Sequence, residues 1–162
     1  MTDVFSTRKR SEIMSHIRST GTKPEKAVAR MIRQLGYRPK LNVTDLPGSP
    51  DICIPSLRKV IFVHGCFFHQ HAGCRGSHRP KSRKAYWNNK LDANIRRDRR
   101  VRRQLYRMGW SVAVVWECQI HYGDALMRRL SRFLERGVKD RLLCLRASAP
   151  PLTPRADIAR RS

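Results

Sequence analysis

An apolar run that passes straight into a dense set of metal-type ligands limits this chain more than any other feature. The run is Val60-Ile-Phe-Val, and it continues as His64-Gly-Cys-Phe-Phe-His-Gln-His-Ala-Gly-Cys74. Cys66, His69, His71 and Cys74 fall within nine residues, and Cys118 closes another apolar run far along the chain. Thiolates and imidazoles that converge on one point make a tetrahedral zinc site. A short loop after a strand supplies three ligands, and the end of a distant strand supplies the fourth. Phe67 and Phe68 stand inside the same loop, where apolar side chains are out of place unless they have something to enter.

Charge says what that something is. The 162 residues carry 35 Lys and Arg against 12 Asp and Glu, a net +23. Self-repulsion on that scale is best relieved against a polyanion. Nucleic acid is the expected partner; a solvated basic surface and an acidic membrane surface are the weaker alternatives. No apolar run approaches the roughly 20 residues that span a bilayer, and the N-terminus has no apolar signal segment. Five cysteines without export signals indicate reduced thiols and metal, not a disulfide frame. Cys53 and Cys144 read as plain small residues.

Local signals divide the chain. Residues 1–20 are polar and basic, with one apolar pattern at Ile13, Met14 and Ile17. Thr22-Lys-Pro-Glu25 reads as a capping box, followed by Val28, Met31, Ile32 and Leu35 at helical spacing and Gly36 as the stop. Strands are expected at Tyr37–Val43, Asp51–Ile54 and Val60–Val63, with a turn at Ser56–Lys59. A long helix is expected from Tyr86 to Met108, a strand over Trp110–Trp116, and a last helix over Asp124–Glu135 with Leu126, Leu130 and Phe133 inward. No repeat is visible, and the Pro-rich end after Leu145 reads as disordered. The order of helix, three strands, helix, strand, helix implies an α/β layer with a mixed sheet. On the long helix Leu91, Asn94, Asp98, Val101, Leu105 and Met108 share one face. A carboxylate on such a face needs a partner. Asp98 either pairs with a flanking arginine or, with Asn94, holds a polar side chain of the catalytic region. The outer faces carry Arg96, Arg97, Arg99, Arg100, Arg102, Arg103 and Arg107, and some of these should meet phosphate.

A strand hairpin would carry Asp51 to the far end of the strand that finishes at His64. Mg²⁺-dependent phosphodiester hydrolysis needs a hard oxygen ligand, a water and a nearby proton carrier. Asp51 offers the oxygen, and His64 and His69 titrate near neutrality. Glu25 either reaches the same cleft or serves only as a helix cap.

Several segments, in order, resemble the very-short-patch-repair DNA mismatch endonucleases, known as Vsr. They are Arg10-Ser-Glu-Ile-Met-Ser, Thr22-Lys-Pro-Glu25, Leu46-Pro-Gly-Ser-Pro-Asp51, Val60 to His69, Asn94-Ile-Arg-Arg-Asp98 and Gly109-Trp-Ser-Val-Ala-Val-Val-Trp-Glu-Cys118. The resemblance implies a restriction-endonuclease-like mixed sheet flanked by helices, with a structural zinc. It implies a basic DNA-contacting segment over 1–20, an endonuclease domain over 21–146 and a disordered basic tail over 147–162. The implied reaction is Mg²⁺-dependent nicking of one strand, 5′ of the thymine in a T·G mismatch left by deamination of 5-methylcytosine. The implied catalytic set is Asp51 and the Val63 backbone as Mg²⁺ ligands, His69 as the histidine assisting hydrolysis, with His64, Glu25 and Asp98 in support. The implied Zn²⁺ ligands are Cys66, His71, Cys74 and Cys118. Phe67, Phe68 and Trp87 become wedges into DNA, with Met14 entering from the other groove and Arg97 and Arg100 on phosphate. The implied setting is a monomer in the bacterial cytoplasm, at the nucleoid and off the membrane, paired in function with a cytosine-5 methylase and mismatch-repair proteins.

The chain also departs from the family pattern. Val63 stands where the best-known member has Thr, so only a backbone carbonyl is offered there. Phe68 replaces a Trp often found in the loop, which removes an indole N–H. The loop from Cys66 to Cys74 is one residue longer, and the second carboxylate and Lys usual in restriction nucleases are not evident on the Val60 strand. The residues alone leave room for a zinc-stabilised nucleic-acid-binding module with an idle centre, or for an Mg²⁺ nuclease acting on RNA or junctions.

Overall fold

The computed structural model describes residues 20–136. Met14, Cys144, nearly all of the basic N-terminal segment and the whole Pro-rich tail lie outside the described residues. The elements are α1 (Lys23–Gln34), β1 (Lys40–Leu41), β2 (Ile52–Ile54), β3 (Lys59–His64), α2 (Lys84–Arg107), β4 (Ser111–Trp116) and α3 (Gly123–Glu135). The sheet runs β1-β2-β3-β4. The first two pairings are antiparallel and β3 pairs with β4 in parallel. This is the mixed α/β sheet that the order of sequence signals implies.

The helix signals hold at both ends. Thr22 Oγ1 accepts from the Glu25 N–H at 3.4 Å, and the Glu25 carboxylate accepts from the Gly21 N–H at 2.8 Å and the Thr22 hydroxyl at 2.7 Å. These contacts satisfy donors that the first turn leaves orphaned. At the other end Gly36 takes φ +86°, and the Tyr37 N–H returns to the Ile32 carbonyl at 3.2 Å. A left-handed glycine followed by a bond back to the last turn is what closes such helices.

Strand alternation sorts the core onto two faces. Ile52, Ile54, Ile61 and Val115 pack with Val28, Ala29 and Ile32 of α1 and Leu126, Leu130 and Leu134 of α3. Cys53, Val60 and Phe62 pack with Val101 and Leu105 of α2. The sheet is therefore covered on both sides, and the end of β3 emerges between the two layers. Gly48 makes the α2 face possible. Its φ is +75°, and a Cβ there would lie 2.5 Å from Val101 Cγ1.

Four expectations are corrected. The Tyr37–Val43 strand shrinks to Lys40–Leu41, because Pro39 has no donor and Asn42 turns to φ +49°. The inner face of α3 is Leu126, Leu130 and Leu134, while Phe133 is only half-buried at its edge. Met108 is 44% exposed, because it caps α2 where the chain leaves the inner face. The turn before β3 is a 3-10 turn over Pro55–Leu57, and Lys59 already belongs to the strand.

Lys59 itself was not singled out by the sequence. It is 4% exposed, and its Nζ donates to the carbonyls of Phe133, Leu134 and Arg136 at 2.6–2.7 Å. A buried ammonium against the last carbonyls of α3 answers both the helix dipole and the orphaned acceptors.

Candidate active site and metal centre

Asp51 sits just before β2, and the antiparallel register carries it alongside Phe62 and Val63, near the end of β3. Its Oδ2 accepts from the Val63 N–H at 2.7 Å. Burial raises its pKa to about 6; the Val63 bond opposes that rise and the nearby Glu25 carboxylate adds to it. Glu25 is 8% exposed. It therefore does both things the sequence left open: it caps α1 and it lines the cleft beside Asp51. The cleft holds about 570 Å³ and is also lined by Val63, His64, Phe68, His69, Arg97 and Asp98. Arg97 is thus on the rim, whereas Arg100 lies exposed farther along α2.

The opposite wall is a histidine pair. His69 Nδ1 is 2.7 Å from Asp98 Oδ2. Burial raises the Asp98 pKa, but the hydrogen bond and charge of His69, the charge of His64 and the Arg102 guanidinium together carry it below the ordinary value. Asp98 is therefore an ionised acceptor near neutral pH, Nδ1 carries the proton, and Nε2 of His69 is left as the basic nitrogen. Of the two readings of Asp98, the structure pairs it with His69, and Arg102 acts on it only through charge. Asn94 supports the same wall by donating to the Phe68 carbonyl at 3.1 Å. His64 stacks on His69 with centroids 3.8 Å apart and planes 14° apart. Burial first, and then the His69 charge, lower the His64 pKa to about 4, so it is a neutral plate near neutral pH.

Four residues gather at a second point. Cys66, His71, Cys74 and Cys118 place their ligand atoms within 4.8 Å of one another. His71 Nδ1 lies 3.7 Å from Cys66 Sγ and 3.3 Å from Cys118 Sγ. The edges of a zinc tetrahedron with sulfur at 2.3 Å are about 3.6–3.8 Å, so the donor set fits zinc in type and spacing. Burial, and then hydrogen bonding to Cys66 and Cys74, push the Cys118 thiol up. Three crowded thiols without a cation repel one another as thiolates, and a divalent ion would reverse that. The loop is shaped for this. His71 N–H donates to the Cys66 carbonyl at 3.0 Å, Cys74 N–H to the His71 carbonyl at 3.2 Å, and a Cβ on Gly76 would come within 3.2 Å of Cys66 Cβ. The two histidines that stood side by side in the sequence are separated, His71 to the thiols and His69 to the cleft.

Sequence reasoning missed the parts that join these sites. Trp116, opposite His64 in the β3–β4 register, meets its ring edge-on at 5.4 Å and stacks on His71 at 4.3 Å. Arg79 bonds Gln70 in the loop and Asn88 and Asp92 on α2, fixing loop to helix. Neither partnership leaves a mark in sequence spacing. Of the expected wedges, Phe67 and Phe68 are half-buried on the loop. Trp87 is 6% exposed and packs edge-on against Phe67 at 5.3 Å, so it supports the loop in this form of the protein.

Comparison with known proteins matches the profile of the DNA mismatch endonuclease Vsr to residues 2–75 of this chain. A relative from Xanthomonas oryzae, the type II nicking enzyme V.XorIIP, is 49% identical over 83% of this chain and 98% of its own length. The type II nicking enzyme V.NmeAIP of Neisseria meningitidis is 39% identical over 86% and 99%. The DNA mismatch endonuclease Vsr of Escherichia coli is 35% identical over 83% and 88%.

Proposed function

The chain belongs to the Vsr family of DNA mismatch endonucleases, and from that premise we propose that it nicks one strand of duplex DNA 5′ of the thymine in a T·G mismatch, with Mg²⁺ as cofactor. Membership makes it a DNA-nicking hydrolase. The observation that supports the Mg²⁺ part of this reading is Asp51, a half-buried carboxylate destabilised as an anion by desolvation in the same cleft as the His69–Asp98 pair, while the mismatch part rests on the likeness to the DNA mismatch endonuclease Vsr of Escherichia coli. A fold retains such a group where a cation will answer its charge. The fold of the reading is restriction-endonuclease-like.

The hard oxygen of Asp51 and the Val63 carbonyl suit Mg²⁺. When bound there, the ion supplies charge stabilisation at the phosphate and acidifies water. The chain's own residues do the rest. Attack of water on phosphorus forms one P–O bond and breaks the bond to the 3′ oxygen, which leaves as a hydroxyl after taking a proton from solvent, and the attacking water must lose a proton. His69 Nε2 takes it, and Asp98 holds the imidazolium through Nδ1–H. His64 keeps the His69 ring in place by stacking. Glu25 adds negative charge beside Asp51 and so favours a cation in the cleft. Cys66, His71, Cys74 and Cys118 would hold Zn²⁺, which would tie the loop after β3 to the turn after β4 and keep Phe67 and Phe68 forward. Those rings, with Met14 from residues outside the described part, open the mismatched step; Arg97 and Arg100 bind phosphate. The setting is the bacterial cytoplasm, as a monomer at the nucleoid, in the wake of a cytosine-5 methylase and alongside mismatch-repair proteins. No helix among the described residues is long and apolar enough to cross a membrane.

The test is a nicking assay on T·G, U·G and fully paired duplexes in varied flanking sequence. A single nick 5′ of the mismatched thymine in Mg²⁺ is expected, lost in Asp51→Ala with mismatch binding retained. Equal cutting of paired DNA, or wild-type nicking by Asp51→Ala, rejects the reading.

A further inference from the structure

His64, His69 and Asp98 form a second group whose ligand atoms all lie within 4.8 Å of one another. Two imidazoles and one carboxylate make a donor set of different chemistry from the all-oxygen set at Asp51 and Val63. Imidazole-rich sets prefer zinc, cobalt, nickel and iron over magnesium. The His69–Asp98 pair already has the spacing of two ligands. Two ligand bonds of about 2.1 Å that span the 2.7 Å between His69 Nδ1 and Asp98 Oδ2 meet at roughly 80°, close to neighbouring positions of an octahedron. His64 is stacked on His69 with planes 14° apart, so their in-plane lone pairs run parallel, and the His64 ring must tilt out of the stack to bring its nitrogen to the same ion. The group is reachable: besides the main cleft, it lines a second cavity of about 480 Å³ on the α2 side, next to Arg102 and Trp116.

We propose that His64, His69 and Asp98 are a second metal site, which takes one divalent transition ion of the Zn²⁺ or Co²⁺ kind and blocks nicking when filled. An ion between Nδ1 and Oδ2 displaces the proton that orients His69, and it draws His64 out of its supporting role. The protein then holds three cation sites of graded softness: thiolate-rich for structural zinc, oxygen-rich for magnesium, and nitrogen-rich between them. Arg102 acts on both His64 and Asp98 through its charge, so this site binds more weakly than the cysteine-rich one. It fills only when transition ion is in excess, and the enzyme is inhibited by the same metal that holds its loop together. The inhibitory consequence rests on the nicking reading above, whereas the site itself does not.

The experiment titrates Co²⁺ into the full chain already loaded with zinc in its cysteine-rich site, followed by calorimetry and visible absorption. One further ion per chain is expected, with weak ligand-field bands and no sulfur-to-cobalt charge-transfer band. His64→Ala and Asp98→Asn should each weaken it by about tenfold or more while metal analysis still finds one zinc; Asp51→Ala should leave it unchanged. No second ion, a sulfur charge-transfer band, or full affinity in both variants overturns the site, and an equal loss in Asp51→Ala moves the ion to the oxygen set. In Mg²⁺, nicking should fall along the Co²⁺ binding curve and recover on chelation that spares the zinc. Unchanged nicking with the site filled overturns the inhibition. A protein that never nicks in Mg²⁺ rejects the nickase reading and leaves the Co²⁺ titration to decide the site.

Discussion

Asp51 and His64 face the same cleft and pull stability in opposite directions as pH changes. The folded protein holds the Asp51 proton up to about 6 against 3.8 in the free residue. It therefore binds more protons than the unfolded chain in that window, and stability from this group falls as pH rises from about 4 to 6. His64 is held down to about 4 against 6.5, so the fold excludes its proton and gains stability as pH rises over nearly the same range. Each tenfold change in acidity is worth about 1.4 kcal/mol, which sets the cost of the Asp51 charge at no more than about 3 kcal/mol. Asp51→Asn should raise the Tm of the metal-free protein at pH 8, with the gain vanishing near pH 4, while nicking is lost. A Tm difference that does not change with pH would mean the carboxylate is not destabilised by burial. At His69 the expectation separates chemistry from structure. His69→Ala should lower the nicking rate by roughly 10²–10⁴-fold with zinc content intact, and His71→Ala should lose zinc. The reverse pattern in metal analysis would exchange their roles.

Between residue and whole molecule, the elements place the chemistry by their ends. β2 and β3 deliver Asp51 and Val63, β3 and β4 deliver His64 and Trp116 side by side, and α2 brings Asp98 across. The opposite end of β3 does a different job, since Lys59 closes α3 through three carbonyls. Lys59→Met keeps the apolar stem and removes the ammonium. Charged hydrogen bonds contribute about 1.5–3 kcal/mol each when lost unevenly, and water can partly replace them at a helix end. Denaturant unfolding should show a loss of about 2–3 kcal/mol, with α3 amides exchanging faster and the rate per folded enzyme unchanged. Unaltered exchange in α3 would mean that the cap is redundant.

At the scale of the whole molecule, one cluster lies at the sheet's working edge. Cys66 follows β3 and Cys118 follows β4, so a metal there locks two parallel strands and the loop between cleft and wedge. Cys118→Ser should lose the zinc and several kcal/mol of stability, since structural zinc contributes about 10 kcal/mol or more in small domains; unchanged zinc content would refute the site. The net +23 spreads along α2 and beyond, and its contribution to DNA binding should fall steeply with salt and ignore sequence. On the proposed function, selectivity is assigned to the loop. Opening a mismatched step costs less than opening a paired one, so Phe67→Ala with Phe68→Ala should reduce the preference for T·G while Tm changes little. An equal loss on paired and mismatched duplexes, or a collapse of Tm, would make both rings core. The two rings meet edge-on at 5.1 Å and Phe67 rests on buried Trp87, so the loop tip stands on a packed base.

The sequence by itself determined the helices, the order of strands and the residue types of both centres. Capping at Thr22 and Glu25, apolar spacing along α1 and α2, and ligand-dense residues after Val60 are local signals, and local physics writes them into neighbouring positions. What depended on packing could not be read this way. The family resemblance already put His71 with the thiols and His69 in the cleft, but the residues alone did not, because which side of one loop faces α2 is fixed only by the assembled sheet and helix. The choice of Asp98 for His69, the use of Glu25 as both cap and cleft wall, and the Trp116 plate between two imidazoles all join residues far apart in the chain. The shortened β1 and the shifted face of α3 have the same origin. Propensity marks where a segment is apolar, while the neighbours it meets decide which side is buried and how long the strand remains paired.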